Sequence, residues 1–248
     1  MIHALSLLLL SVVNSHPVPP VPTNLGLGSL VIECPGVTKV RCNDSLDPSF
    51  TGTPTTSGEC DPNHPATLTY TDSVQVPACE AQRFQTTIIR TWTATDSCGN
   101  TATCDQTIHV VKEIWNFDIK SPSCPNPFNL GANGMISMTI VGTAQHDVST
   151  IDPSTVAIWT EDCAGGPVTP VRYHFEDKAT PWPGGPACGC HTLGADGIMD
   201  LDFHFRRQDV ENGLHLASYP SFSYVRIFVT AQTYDGCEIL GTDCVRVQ

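Results

Sequence analysis

The chain has 248 residues, 12 Lys and Arg against 25 Asp and Glu, a formal net charge of −13, and 12 cysteines. That length suits two domains of ordinary size, and the acidity argues against nucleic acid and anionic membrane surfaces, which are held by clustered Lys and Arg. Cys34, Cys42, Cys60, Cys79, Cys98 and Cys104 fall in one half, and Cys124, Cys163, Cys188, Cys190, Cys237 and Cys244 in the other. Such cysteine usage points to an oxidising compartment, and an even number per half predicts two separately stapled domains with no bridge between them and no free thiol.

In chain order, residues 1–15 read as a signal peptide: the apolar run from Ala4 to Val13 ends in Val13-Asn14-Ser15 and is too short to span a bilayer. The expectation is a secreted chain with no membrane insertion. Residues 16–30 are Pro-rich and then Gly-rich, which reads as an extended linker. Asn43-Asp44-Ser45 is a sequon in a predicted turn, making Asn43 the candidate glycosylation site.

The remainder reads as all-β, two tandem disulfide-stabilised sandwiches over 31–112 and 113–248. Alternation marks strands at Leu68–Thr71 and Ile88–Thr95, the latter with Ile88, Trp92 and Ala94 on one face and Thr91, Thr93 and Thr95 on the other. In the second half Ile136, Met138 and Ile140 alternate with Ser137 and Thr139. Met199, Leu201, Phe203 and Phe205 alternate with Asp200, Asp202 and His204, and Val225, Ile227 and Val229 with Arg226, Phe228 and Thr230. The lone helical candidate is a turn from Arg207 to Glu211, stopped by Asn212-Gly213. Short strands between Gly, Pro and Asp turns imply sandwiches. Charge is uneven: residues 31–112 carry net −4 and residues 113–248 net −9.

The run TWTATDSCGNTATCDQTIHV (Thr91 to Val110), with ECP (Glu33 to Pro35) and LTYTDSV (Leu68 to Val74) upstream, resembles the hyalin-repeat (HYR) and HYR-like family of extracellular modules. The resemblance implies an immunoglobulin-like sandwich serving as adhesive element or spacer, without catalytic residues. It also implies a Cys34–Cys104 bridge, Cys60 and Cys98 at the same end, and Cys42 and Cys79 left for each other at the opposite end. A local Cys98–Cys104 bridge is the rival among the fifteen connectivities open to six cysteines. In the second half FDIKSPSCPNPFNL, IVGTAQHDVSTIDPSTVAI, FEDKATP, GADGIMDLDFHF and GTDCVRV resemble a module of secreted bacterial proteins of unassigned role, which implies an extracellular β fold and no chemistry.

The strongest candidate site is acidic. Residues two apart in a strand share a face, so Asp200 and Asp202 project together beside the Asp196-Gly197 turn, with Glu176 and Asp177 near a strand end. Hard oxygen ligands around a turn suit calcium, although the EF-hand pattern is not met, and the same aspartates also read as a solvated strand face. Cys188-Gly189-Cys190-His191 with Cys163 has the makings of a zinc site, but disulfides use the same residues and suit the compartment better. His146, His174, His204 and His215 are scattered singly, with no His-Glu-x-x-His and no Gly-x-Ser-x-Gly. Glu176 and Asp200 form one of many carboxylate pairs open to glycoside hydrolysis. Of Trp115, Trp159 and Trp182, only Trp182, between prolines, reads as an exposed ligand-binding aromatic.

The expectation is therefore a non-catalytic structural or adhesive module of an extracellular surface, matrix or filament, with extracellular proteins, glycans or its own copies as partners. The alternatives are a carbohydrate-binding protein and a metal-dependent hydrolase.

Overall fold

The structure, a computed structural model, describes residues 29–184 and 188–248. The expected signal peptide and residues 16–28 of the expected linker lie outside the described residues. Leu30 is already buried, so the folded chain begins before the expected end of the linker. Among the described residues no helix is long and apolar enough to cross a membrane.

The chain is all-β with sandwich-like sheets. In the first half, β1 (Val31–Glu33), β2 (Thr38–Arg41), β3 (Thr55–Ser57), β4 (Thr67–Gln75), β5 (Phe84–Thr95) and β6 (Thr101–Val111) are accompanied by a single helical turn, α1 (Pro48–Thr51). One sheet runs β2-β6-β5-β4, with β2 parallel to β6, and β1 pairs with β3. Every second residue of β5 from Ile88 to Ala94 is buried, as alternation demands, but the face includes a charge: Arg90 is 1% exposed. Its guanidinium donates to both Asp72 oxygens (2.8 and 2.9 Å) and to Thr51 Oγ1 (2.9 Å), and lies 4.2 Å from the centre of the Tyr70 ring. A buried charge is tolerated only when paired and hydrogen-bonded in this way. Beside it Trp92 donates to Gln106 Oε1 at 3.1 Å, and Gln106 donates to the Thr51 carbonyl. Among the described residues the packed apolar cluster is small, Val40, Ile88, Ile108 and Val110, with Trp92 and Ala94 also buried on β5, so this small sandwich leans on polar networks and disulfides.

The β5–β6 turn explains the Thr-Asp-Ser-Cys-Gly-Asn motif. The buried Asp96 carboxylate accepts from the backbone N–H of Cys98 (3.0 Å), Asn100 (2.9 Å) and Cys60 (3.2 Å), and Gly99 takes φ 86°, which a Cβ would oppose. Hydrogen bonding from Asn100 holds Asp96 below its ordinary value.

The second half has β7 (Glu113–Ile114), β8 (Asn116–Ile119), β9 (Pro127–Phe128), β10 (Met135–Val141), β11 (Ile151–Thr160), β12 (Arg172–Glu176), β13 (Asp200–Arg206), α2 (Arg207–Gly213), β14 (Tyr224–Thr233) and β15 (Glu238–Val247). One sheet runs β12-β13-β10-β8; the other runs β11-β14-β15-β7, with β9 also on β15. Their facing sides supply a continuous core, Phe117, Ile119, Ile136, Met138, Ile140, Leu201, Phe203 and Phe205 from one sheet against Ile151, Val156, Ile158, Val225, Ile227, Val229, Ile239, Val245 and Val247 from the other.

Each of the twelve cysteines is bonded. Cys34–Cys104 and Cys60–Cys98 lie within the first half, and Cys124–Cys190 and Cys188–Cys244 within the second. The expectation of no bridge between the halves is corrected twice: Cys42 bonds Cys237, not Cys79, and Cys79 bonds Cys163. The reason is docking. The end of the first sandwich that holds Cys42 and Cys79 is the end that meets the second domain, where Arg41 pairs beside Val111 and Glu113 beside Ile239. Between β6 and β7 stands Lys112 alone, its side chain fully buried, its Nζ donating to the Glu80 carbonyl (2.6 Å) and pairing with Glu80 (3.2 Å) and Glu238 (2.8 Å), one carboxylate from each domain. Gln85 adds bonds to Gly236 and Glu238.

Candidate functional site

The outer face of the sheet β12-β13-β10-β8 carries the titratable groups. Because β10 and β13 send alternate side chains into the core, Ser137, Thr139, Asp200, Asp202 and His204 all project outward. The register sets Asp118, Thr139, Asp202 and His174 in one row across the four strands, and Ser137, His204 and Arg172 in the next.

This face is not the solvated one that alternation suggests: Asp200 and Asp202 are both 0% exposed. The described parts of the excursion between β12 and β13, residues 177–184 and 188–199, fold back over it and are tied down by Cys124–Cys190 and Cys188–Cys244. Asp200 fastens the start of the excursion, accepting from the backbone N–H of Lys178 and Ala179 on one oxygen and of Gly142 on the other, each at 2.8 Å. Burial nevertheless pushes the Asp200 carboxyl up, against those three bonds.

The five expected calcium ligands do not converge. Asp200 spends its oxygens on backbone N–H groups; Asp177 accepts from the N–H of Asp196 (2.9 Å) and Gly197 (2.8 Å), and Asp196 from that of Ile198 (3.0 Å). These three carboxylates build turns, so the expected oxygen cage is corrected to a different grouping around the other two. Asp202 Oδ1 accepts from Ser137 Oγ and Thr139 Oγ1, both at 2.7 Å. Its Oδ2, which accepts no well-aligned hydrogen bond, lies 2.9 Å from Lys178 Nζ, 3.1 Å from His204 Nε2 and 3.8 Å from His174 Nε2. Glu176 Oε1 is 3.1 Å from His174 Nε2 and 3.3 Å from Lys178 Nζ. Burial lowers the His204 imidazole, with the Asp202 carboxylate opposing. The two histidines that stand alone in sequence are thus neighbours, their rings stacked 5.3 Å apart; the β12–β13 register, which pairs His174 with Asp202 and Arg172 with His204, sets them diagonally side by side, and no local motif signals it.

Toward β8 the same face holds a pocket of about 50 Å³ lined by Asp118, Asp243, Thr180, Trp182 and His191. Burial raises Asp118 and pushes Asp243 from 3.8 to about 6. Trp182 is half-buried and stacks on His191 at 5.5 Å rather than standing free. Of the residues expected for a thiolate zinc site, Cys188 and Cys190 are in separate disulfides and Cys163 is bonded to the first domain. Asn43 is exposed as expected, with its amide nitrogen donating to Asp235 at 2.7 Å across the domain junction. A second cluster, Cys60, Asp96 and Cys98, is a disulfide around the turn carboxylate already described.

No protein-family model matches the chain, and no curated protein matches it. Among solved structures it is similar to SGBP-B of the Bacteroides ovatus mixed-linkage glucan utilization locus in complex with a mixed-linkage heptasaccharide, at 13% identity over 94% of this chain and 46% of that one, TM-score 0.22. It is also similar to protocadherin gamma B2 extracellular cadherin domains 3-6 (10% identity, 88% of this chain and 47% of that one, TM-score 0.23) and to the human desmocollin-1 ectodomain (11%, 85% and 35%, TM-score 0.21). The chain spans less than half the length of each, and at these TM-scores the likenesses carry no argument about its role.

Proposed function

We propose that the chain is a non-catalytic structural or adhesive module of an extracellular surface, matrix or filament, with extracellular proteins, glycans or further copies of itself as partners. Six disulfides support an oxidising extracellular setting, and the resemblance of residues 31–112 to HYR-like modules supports the adhesive or spacer role. The observation that carries the reading is the Cys42–Cys237 bond, which closes a loop of 195 residues. Tension applied through the flanking segments passes from Cys42 to Cys237 through a covalent bond and bypasses nearly the whole fold. Cys79–Cys163 and the buried Lys112 pair fix the same junction a second and third time. A module braced in this way transmits force without unfolding, which suits a matrix or filament component.

Single-molecule stretching by the two ends tests it. The oxidised chain is expected to lengthen only by its short flanking segments, whereas full reduction should release the sequestered residues, about 650 Å at roughly 3.4 Å each. An oxidised chain that extends by comparable lengths would overturn the reading.

A further inference from the structure

We propose that His174, His204, Asp202 and Glu176 form a binding site for a divalent transition metal with the preferences of zinc, and that the ion and the Lys178 ammonium are alternative occupants of one cationic position. Neither the structural role above nor the expected calcium cage requires such a site.

The first support is geometric. Tetrahedral zinc with bonds of about 2.0–2.1 Å sets neighbouring donor atoms roughly 3.3 Å apart. The separations here are 3.1 Å (His174 Nε2 to Glu176 Oε1), 3.1 Å (His204 Nε2 to Asp202 Oδ2) and 3.8 Å (His174 Nε2 to Asp202 Oδ2). The donor atoms of His174, Asp202 and His204 all lie within 4.8 Å of one another, and Glu176 stands outside that trio, joined to it through His174, as a fourth ligand that closes in when the ion displaces the ammonium. The second is rigidity: all four side chains stand on two hydrogen-bonded strands, His174 directly opposite Asp202 and Glu176 opposite Asp200. The third is the surrounding shell. Ser137 and Thr139 hold one oxygen of the buried Asp202 and leave the other aimed at the cluster, as outer partners of metal-binding carboxylates do. Two imidazole nitrogens with two carboxylates favour zinc or a similar ion over calcium, which takes oxygen donors.

Lys178 makes the prediction specific. Its Nζ stands 2.9 Å from Asp202, 3.3 Å from Glu176 and 2.6 Å from Ser137, a monovalent cation already within the carboxylate pair. Its side chain is 20% exposed, and those of His174 and Glu176 are 44% and 40% exposed, so an ion has a path in and the ammonium a path out.

The test uses the untagged, oxidised, full-length chain, stripped with chelator and titrated with zinc by calorimetry, with calcium in parallel. One zinc per chain is expected. The His174→Ala variant should bind at least tenfold more weakly while keeping the metal-free melting temperature of the parent, and Lys178→Ala should bind at least tenfold more tightly. Cobalt in place of zinc should give the visible absorption of a tetrahedral ion, lost in His174→Ala. Zinc binding that is indifferent to His174→Ala, stronger binding of calcium than of zinc, or no binding by either the parent or Lys178→Ala at millimolar zinc would overturn the proposal.

Discussion

Among the carboxylates that burial raises, Asp118, Asp200 and Asp243, the last ties stability to pH over a defined window. It accepts from Ile119 N (2.8 Å), Cys244 N (2.7 Å) and Asn126 Nδ2 (2.8 Å), yet burial outweighs those bonds and holds it at about 6 instead of 3.8. In the unfolded chain it ionises near its ordinary value, so between about 4 and about 6 the folded state keeps a proton that the unfolded state has lost. This contribution is fully present below the lower value, falls as pH rises through the window and is gone above it. Two pKa units correspond to on the order of 2 to 3 kcal/mol. Urea midpoints across that window should therefore decline with pH in the parent, and Asp243→Asn should reduce this slope, leaving what Asp118 and Asp200 contribute; an unchanged slope in the variant would place the effect elsewhere.

At the scale of elements, the excursion that leaves β12 through Lys178 and Ala179 decides the character of the second domain's outer face, and Asp200 is its fastening. From the sequence, Asn at this position looks harmless, a strand carboxylate exchanged for an amide of equal size. With three backbone N–H groups converging on the two oxygens, the amide instead turns a donor toward donors and leaves buried N–H groups unpaired. Asp200→Asn should cost about 2 to 4 kcal/mol, since each buried unsatisfied group costs about 1 to 3. It should also admit protease to the excursion while the two sheets persist. Denaturant titration and limited proteolysis check both, and a change within about 0.5 kcal/mol, the range of ordinary surface substitutions, would refute the fastening role.

At the scale of the molecule, the two sandwiches are unequal. The second has a continuous core between two sheets, whereas the first packs a small apolar cluster beside a hydrogen-bonded Arg90. Its stability should therefore depend on docking. Replacing Cys42, Cys237, Cys79 and Cys163 together by Ser is expected to split one cooperative calorimetric transition into two, the first domain melting at the lower temperature. Loss of each bridge should cost about 2 to 4 kcal/mol, with loops of 195 and 84 residues reopened in the unfolded chain. Two transitions already present in the oxidised parent would show that the bridges do not couple the domains.

Alternation is a property of neighbouring residues, and so the sequence alone located β5, β10, β13 and β14 through Ile88–Thr95, Ile136–Ile140, Met199–Phe205 and Val225–Thr230, within a residue at the ends of β10 and β13 but four residues short at the start of β5 and three at the end of β14, along with the turn that became α2. The all-β class followed from the same local signal. Tertiary structure decided what covers each face: Arg90 sits on the buried side of β5 because Asp72 and Thr51 arrive from other elements, and Asp200 and Asp202 are buried because the segment that precedes β13 folds back over them. It also decided that His174 meets His204, through strand register, and that Cys42 meets Cys237, through the docking of one sandwich on the other. Pairing between distant residues depends on how whole sheets align, and neither cysteine parity nor residue spacing along the chain encodes that alignment.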